Sequence, residues 1–314
     1  MSALAAPPSA AAPVILNEAK DLSAAPGSLA PAVILNEAKD LHAPQASFAA
    51  LRMTADAGDL ERRFGGLRRL YGDAAYLRIR AARVVVVGVG GVGSWAAEAL
   101  ARSGVAALTL IDLDHVSESN VNRQVQALGS TLGMAKVEAL RQRIADIHPG
   151  CAVNGIEEFV DAENWPGLLG APVDVVIDAC DQVSAKAAIA AWALATRARL
   201  VIVGAAGGKR AAERVDVADL AEVTHDPVLA ALRQRLRKQH GAARTGRIGL
   251  SCVFSHEPVS APAGEAPCDI DGNLNCHGYG SSVGVTATFG MVAATRALEF
   301  ASLASARPSA PSSL

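Results

Sequence analysis

Four β-branched residues in a row, Val84, Val85, Val86 and Val87, are the sharpest hydrophobic feature of the chain. A continuous apolar run of this kind predicts a strand buried on both faces, as in a parallel sheet. Similar runs occur at Leu108 to Ile111, Val173 to Ile177 and Leu200 to Val203. Between them, apolar residues recur at helical spacing from Ser94 to Leu100, from about Met134 to Ile147 and from about Ser184 to Thr196. Pro149-Gly150 stops the second helix, and Cys151 to Phe159 reads as a further strand. This alternation predicts an α/β fold, a doubly wound and mostly parallel sheet with helices on both faces. Beyond Glu213 the pattern loosens into a strand near Arg214 to Val217, a basic helix near Pro227 to His240 and a short strand at Cys252 to Phe254. The apolar stretch from Val283 to Leu303 is broken by Arg296 and Glu299, which predicts a packed helix rather than a membrane span.

The first 52 residues stand outside this pattern. Val14 to Leu22 recurs identically as Val33 to Leu41, among Ala, Pro and Ser. Such a composition cannot bury a core, and two copies are too few for a solenoid. The expected organisation is a disordered extension over 1–52, read as a translated repetitive element upstream of a start at Met53. One folded domain over 53–307 and a frayed tail over 308–314 complete it. A net charge of −2 gives no global pull towards nucleic acid, so any RNA contact must come from a local patch. Five cysteines (Cys151, Cys180, Cys252, Cys268, Cys276) without a C-x-x-C pair argue against a disulfide framework or a four-thiolate zinc site. They fit a reducing cytoplasm, the expected location, with loose membrane association left open.

The chemistry concentrates where the first strand ends. Gly88, Gly90 and Gly93 fall in G-x-G-x-x-G register between that strand and the helix beginning at Ser94. The first glycine permits a tight turn, the second lets a phosphate approach the backbone, and the third lets helix and strand pack closely. The next strand ends in Asp112, placed to hold a ribose. Together these give a Rossmann-like nucleotide site. A hydride-transfer enzyme would use the same carboxylate on NAD, so the residues beyond Asp112 must discriminate. Asn120, Arg123 and Gln124 lie in the next loop, and Lys136 opens the next helix. Asp178 and Asp181 end a buried strand, the sheet edge where ligands bind. Cations for a triphosphate and a carboxylate for Mg²⁺ favour ATP over a dinucleotide. Residues 204–210 hint at a P-loop, but the spacing is one short and no Ser or Thr comes after Lys209. A tight, substrate-facing turn is expected there.

These residues resemble the ubiquitin-activating-enzyme-like adenylyltransferases, which include the sulfur-carrier activators of thiamine and molybdopterin synthesis. The likeness rests on 88–94, Asp112-Leu113-Asp114, Asn120-x-x-Arg123-Gln124, Lys136 and Asp178-x-x-Asp181. Within that superfamily, Arg63-Phe64-Gly65-Gly66, Leu70-Tyr71-Gly72, the stretch from Gly91 to Arg102, 204–208, Asp226-Pro227, 252–255 and 286–290 are similar to the tRNA threonylcarbamoyladenosine dehydratases. The likeness covers about Arg62 to Ala301. It implies an ATP-dependent adenylation domain that cyclises the modified nucleoside. Gly88, Gly90, Gly91 and Gly93 would lie close to the nucleotide and Asp112 on its ribose. Asn120, Arg123, Gln124 and Lys136 would grip the phosphates, and Asp181 would hold Mg²⁺. Arg123, Lys136 and Asp181 are then the catalytic candidates. The resemblance also implies a tRNA substrate, a homodimer and a sulfur-transfer or cysteine desulfurase partner, with no DNA. The alternative is activation of the C-terminus of a small sulfur-carrier or ubiquitin-like protein, ranked second because its paired zinc cysteines are missing. A dinucleotide oxidoreductase or a binding module without catalysis is third.

Some positions depart from the pattern or admit two readings. The sulfur-carrier activators carry an arginine where Gly66 stands, and Arg68 or Arg69 is the candidate substitute. The loop between Ser255 and Cys276 is short for the dehydratases. Cys252 reads as a nucleophile, because some relatives form thioesters, or as a small buried residue beside Val253 and Phe254. His225 reads as a helix-start residue in preference to an acid–base catalyst. Arg233, Arg235, Arg237 and Lys238, with Arg244 and Arg247 beyond, form the dense basic patch of the sequence. They are either a tRNA-backbone surface or a solvated helix face.

Overall fold

The valine run lies at the heart of a sheet. The computed structural model describes residues 59–261 and 279–303. In it β1 (Arg83–Val87) is flanked in parallel by β2 (Ala107–Ile111) and β4 (Val175–Asp178). β3 (Ala152–Ile156) pairs with β2, and β5 (Leu200–Val203) with β4, also in parallel. β7 (Ser251–Ser255) extends the sheet beside β5, and β6 (Val215–Asp219) closes it antiparallel to β7. The order among the described residues is β3-β2-β1-β4-β5-β7-β6. The chain thus winds one way from β1 to β3 and the other way from β4 onward. The expected Rossmann-like sheet is present, with its reversal of direction between β1 and β4.

Two helices, α1 (residues 59–71) and α2 (Asp73–Ala81), precede the sheet. Alternate residues of β1 then feed two cores. Val84 and Val86 join Leu108, Leu110 and Ile177 on one face, against α3 (Gly93–Arg102), α4 (Lys136–Ile147) and α7 (Val283–Ser302). Val85 and Val87 join Ile111, Val176 and Ile202 on the other, against α5 (Val183–Thr196) and α6 (Pro227–Gln239). Among the described residues, no helix is long and apolar enough to cross a membrane.

The differences from expectation are local. The third strand ends at Ile156 instead of Phe159, because the chain turns there towards a cavity at the sheet edge. The helix expected from Met134 begins at Lys136. Ala135 is extended, and Met134 offers its carbonyl to the Val116 N–H at 2.8 Å. The repeats and Met53, Cys268 and Cys276, most of the 255–276 loop and the tail at 308–314 lie outside the described residues.

Away from the cavity, His148 is 1% exposed just past α4. Its ring meets Phe64 edge-on, centroids 4.8 Å apart, and its Nε2 lies 3.2 Å from Arg80 Nη1. Burial, followed by the charges of Arg80 and Arg63, lowers its pKa from 6.5 to about 4. Between those values the unfolded chain takes up a proton that the folded chain refuses. The contribution is therefore whole above about pH 6.5 and is lost as pH falls towards about 4. Thermal unfolding should show the wild-type midpoint falling from about pH 7 to about pH 5 more steeply than that of His148→Leu. Parallel profiles would contradict this.

Candidate active site

Register brings the strand ends level. Val87 stands opposite Ile111 and Asp178, so Gly88, Asp112 and Ala179 emerge side by side at the C-terminal edge. A cavity of about 600 Å³ opens there. Gly88 turns the chain with φ 80°, and a Cβ on it would lie 2.8 Å from the Cys180 nitrogen. A Cβ on Gly93 would overlap the Gly88 carbonyl oxygen. Gly90 is different, for a Cβ there would meet nothing nearer than Gln124 Nε2 at 3.9 Å. The outer two glycines serve the fold, and Gly90 leaves its space to whatever enters the cavity. Gly91 is backed by Thr286 and Arg123, 3.3 and 3.4 Å from where its Cβ would be.

Asp112 holds this turn from the side. Its Oδ2 accepts the Val89 N–H at 2.7 Å and its Oδ1 the Asp114 N–H at 2.9 Å. Each oxygen keeps a further lone pair for a ligand. Burial raises its pKa, opposed by Lys136 and by the two N–H groups. Lys136 is 6% exposed, with Nζ 2.7 Å from Asp114 Oδ2 and 4.0 Å from Asp112 Oδ1. Asn120 turns its Oδ1 to the Ser117 N–H at 3.1 Å. Arg123 donates to the Ser119 carbonyl at 2.6 Å and to Asn122 Oδ1 at 2.9 Å. Gln124 is buried and accepts from Gln126 Nε2 at 3.2 Å, while Gln126 also donates to the Val89 carbonyl at 2.9 Å. Gln124 thereby frames the glycine turn. Asp181 is exposed on the cavity wall and has no hydrogen-bond partner among the described residues. The nucleotide-site residues singled out in the sequence line this cavity, except for Gly93 and the fully buried Asp178, which sit behind its wall.

Sequence reasoning missed the floor. Lys186 is 1% exposed, and its Nζ donates to Asp178 Oδ1 at 3.1 Å, the Asp178 carbonyl at 3.3 Å and the Val203 carbonyl at 2.8 Å. Burial opposes its charge, yet Asp178 beside it holds its pKa above the usual lysine value. One ammonium thus ties the ends of β4 and β5. The signal was present: Lys186 is the one charged residue of α5. Cys180 donates its thiol to Asp178 Oδ1 at 3.0 Å, and burial pushes its pKa well up.

Other expectations need correcting. Cys252 is 0% exposed in mid-sheet, away from the cavity lining, with a pKa raised by burial. A buried, protonated thiol is no nucleophile, so the catalytic reading falls. Arg233 donates to the Leu220 and Val223 carbonyls, each at 2.9 Å, which ties it into the fold instead of presenting it to RNA. Arg235 and Lys238 are exposed, and the half-buried Arg237 donates to the Ala243 carbonyl at 3.0 Å. This patch occupies the end of α6 remote from the cavity. Arg68 pairs with Asp73 at 2.6 Å and Glu61 at 3.1 Å, and neither it nor Arg69 lines the cavity of its own chain. His225 precedes the helix start but does not cap it; Asp226 does, accepting the Leu229 N–H at 2.9 Å. The turn at 204–207 lines the cavity as expected. Lys209 behind it points inward onto the carbonyls of Glu257, His225 and Ser255.

Similarity to known proteins agrees with this geometry. The ThiF family profile matches residues 63–312. A Haemophilus influenzae protein named tRNA threonylcarbamoyladenosine dehydratase is 38% identical over 252 residues, which cover 79% of this chain and 97% of that protein. An Escherichia coli protein of the same name is 42% identical over 247 residues, covering 76% of this chain and 92% of that protein. The crystal structure of the E. coli tRNA N6-threonylcarbamoyladenosine dehydratase in complex with ATP superposes with a TM-score of 0.69 at 41% identity. It covers 76% of this chain and 93% of that one. The AMP complex gives a TM-score of 0.69 at 42% identity, with the same coverage.

The glycines make separable predictions. Gly93→Ala should lower the stability measured by denaturant unfolding by about 1–3 kcal/mol. Gly90→Ala should leave it within about 0.5 kcal/mol and weaken ATP binding measured by calorimetry. Equal stability loss in both would contradict the assignment. Cys252 should resist alkylation in the folded chain and label on unfolding; rapid labelling of the native chain would refute its burial.

Proposed function

The chain belongs to the ThiF family, and from that premise we propose that it dehydrates, and so cyclises, threonylcarbamoyladenosine in tRNA at the expense of ATP. The observation that carries this reading is the cavity at the β1–β4 reversal. It gathers the open face of Gly90, the Asp112 carboxylate, Arg123, Lys136 and Asp181 along one sheet edge. That set suits a nucleoside triphosphate.

The chemistry stems from what a carboxylate lacks. Its oxygen is a poor leaving group, so the threonyl carboxylate must first be activated. Its oxygen attacks the α-phosphorus of ATP, the bond to pyrophosphate breaks, and an acyl-adenylate remains. The carbamoyl nitrogen or oxygen of the same modification then attacks the acyl carbon and expels AMP. Reaction within one molecule gains a large effective concentration. Asp112 orients the ribose with its remaining lone pairs. Lys136 moves from Asp114 onto the phosphates, and the Asn120 amide and Arg123 stabilise the charge that develops on them. Gly90 and Gly91 lie against the nucleotide.

Mg²⁺ fits this site as a guest of the substrate. No cluster of three or more His, Cys, Asp or Glu among the described residues could cage a metal, and Mg²⁺ is commonly held by one or two carboxylates together with phosphates. Asp181 would supply that carboxylate, and the ion would offset phosphate charge. We further place the catalytic domain at 53–307 and expect it to work as a homodimer. Arg235, Arg237 and Lys238 would meet the tRNA backbone, about 12–17 Å along α6 from its cavity end. The free thiols of Cys151, Cys180 and Cys252 suit a cytoplasmic location.

The test is a nucleoside digest of substrate tRNA incubated with the purified chain and Mg-ATP. Threonylcarbamoyladenosine should lose the mass of one water while AMP forms, only when ATP is present. Lys136→Ala should slow this by about 100-fold or more. Unchanged nucleoside in competent tRNA, with adenylation of a carrier-protein C-terminus, would overturn the reading.

A further inference from the structure

Two stretches singled out by the sequence, Gly91 to Arg102 and 286–290, contribute only Gly91, Val92 and Thr286 to the cavity lining. The others meet behind Arg123. Trp95, in the first turn of α3, does not reach the cavity, but its indole Nε1 donates to the Arg123 carbonyl at 2.9 Å. No backbone N–H donates to that carbonyl among the described residues. The Thr286 hydroxyl lies 3.4 Å from it but 3.2 Å from the Ser282 carbonyl, one turn back along its own helix. A hydroxyl has a single proton, and the shorter contact takes it. The indole is therefore the donor that holds the Arg123 main chain. α7 in turn fixes the indole. A Cβ on Gly290 would lie 2.7 Å from Trp95 Cβ, so the two helices touch at the root of that side chain and leave it little freedom to turn.

Arg123 needs such a hold because its other polar contacts are ones that a ligand displaces. Its stem lies over Gly91, with Cγ and Cδ each 3.4 Å from where a Cβ would be. Nη1 donates to the Ser119 carbonyl and to Asn122 Oδ1. Nε and Nη2 have no partner among the described residues. They form the edge of the guanidinium that grips a phosphate through two parallel hydrogen bonds. A long, flexible side chain delivers that edge to one place only when its main chain is fixed. We propose that Trp95 is a positioning residue for the reaction: its indole N–H pins the Arg123 main chain to α3, so that the glycine turn and the guanidinium meet the same phosphates as one unit. Trp95 comes two residues after Gly93, where the turn enters the helix, so whatever places the turn places Arg123 as well. The ring also packs against the core beside α7, which another aromatic residue could do. The N–H at this point is what only the indole supplies.

This role of Trp95 rests on ATP phosphates lying against the glycine turn and Arg123, not on the identity of the second substrate. Steady-state kinetics with the full chain tests it through Trp95→Phe, which keeps a ring and loses the N–H. Its kcat for dehydration should fall by about 10-fold or more, the effect of a misplaced catalytic group, with the KM for tRNA unchanged. Packing alone would not produce the second expected result. In an Arg123→Ala background, Trp95→Phe should change kcat by less than about 2-fold, because the group it positions is already gone. A wild-type kcat in Trp95→Phe, a raised KM for tRNA, or an equal loss in the Arg123→Ala background would overturn the proposal. The benzothiophene isostere of Trp95, with sulfur in place of the N–H and the same shape, repeats the comparison if the phenylalanine variant folds poorly. ATP affinity by calorimetry should follow the same cycle, weakened by Trp95→Phe in the wild-type chain and unchanged by it in Arg123→Ala. A wild-type chain that binds ATP but dehydrates no tRNA would remove the proposed function, and calorimetry would then decide Trp95 by itself. A chain that binds no ATP would remove both.

Discussion

The structure depends on a steric constraint at the end of β1. The chain leaving Val87 must turn beside the end of β4 and enter α3 with almost no space between the three. Gly88 passes within contact of Ala179 and Cys180, and Gly93 rests on the Gly88 carbonyl. Any side chain at either position would push α3 off the sheet or β1 away from β4. Because the sheet reverses direction at that junction, the same contact also sets the width of the cavity. The close approach that the fold requires is what exposes the backbone at Gly90 to a ligand. Asp112 reinforces it, since the carboxylate that lines the cavity also holds the Val89 and Asp114 N–H groups.

A second layer of buried polar groups supports the first. Lys186 bridges Asp178 and Val203, and Asp226 bridges the start of α6 and the Ala205 turn. Losing one partner of the Lys186–Asp178 pair typically costs about 3–5 kcal/mol, because the other charge is left uncompensated. These groups set the positions of Asp181 and of the 204–207 turn relative to the glycines. The cavity is therefore rigid at its floor and adaptable at its walls. There Lys136 rests on Asp114 and Arg123 on Ser119 and Asn122, contacts that an incoming phosphate can replace.

What the sequence disclosed depends on the range of each interaction. The valine run, the glycine register and the acidic residues ending β2 and β4 are local signals, and each occupies the expected place. Asp178 was legible by position but not by role: the sequence sets it with Asp181 at the edge where ligands bind, whereas Lys186, eight residues on, neutralises it. Arg233 reads as part of a basic face because the loop whose carbonyls it holds lies ten and more residues earlier. Cys252 looks like a nucleophile only until β5 and β6 are placed on either side of β7. Long-range adjacency, not composition, separates the legible from the hidden here.

The central claim is that ATP is cleaved at the α-phosphorus by the substrate's own carboxylate. It is tested most directly with tRNA whose threonylcarbamoyladenosine carries oxygen-18 in that carboxylate. Mass spectrometry of the products of turnover should find one labelled oxygen on the phosphate of AMP and none in pyrophosphate. Unlabelled AMP would mean that water or another acceptor attacks ATP, and the account of this site as a carboxylate-activating centre would be wrong.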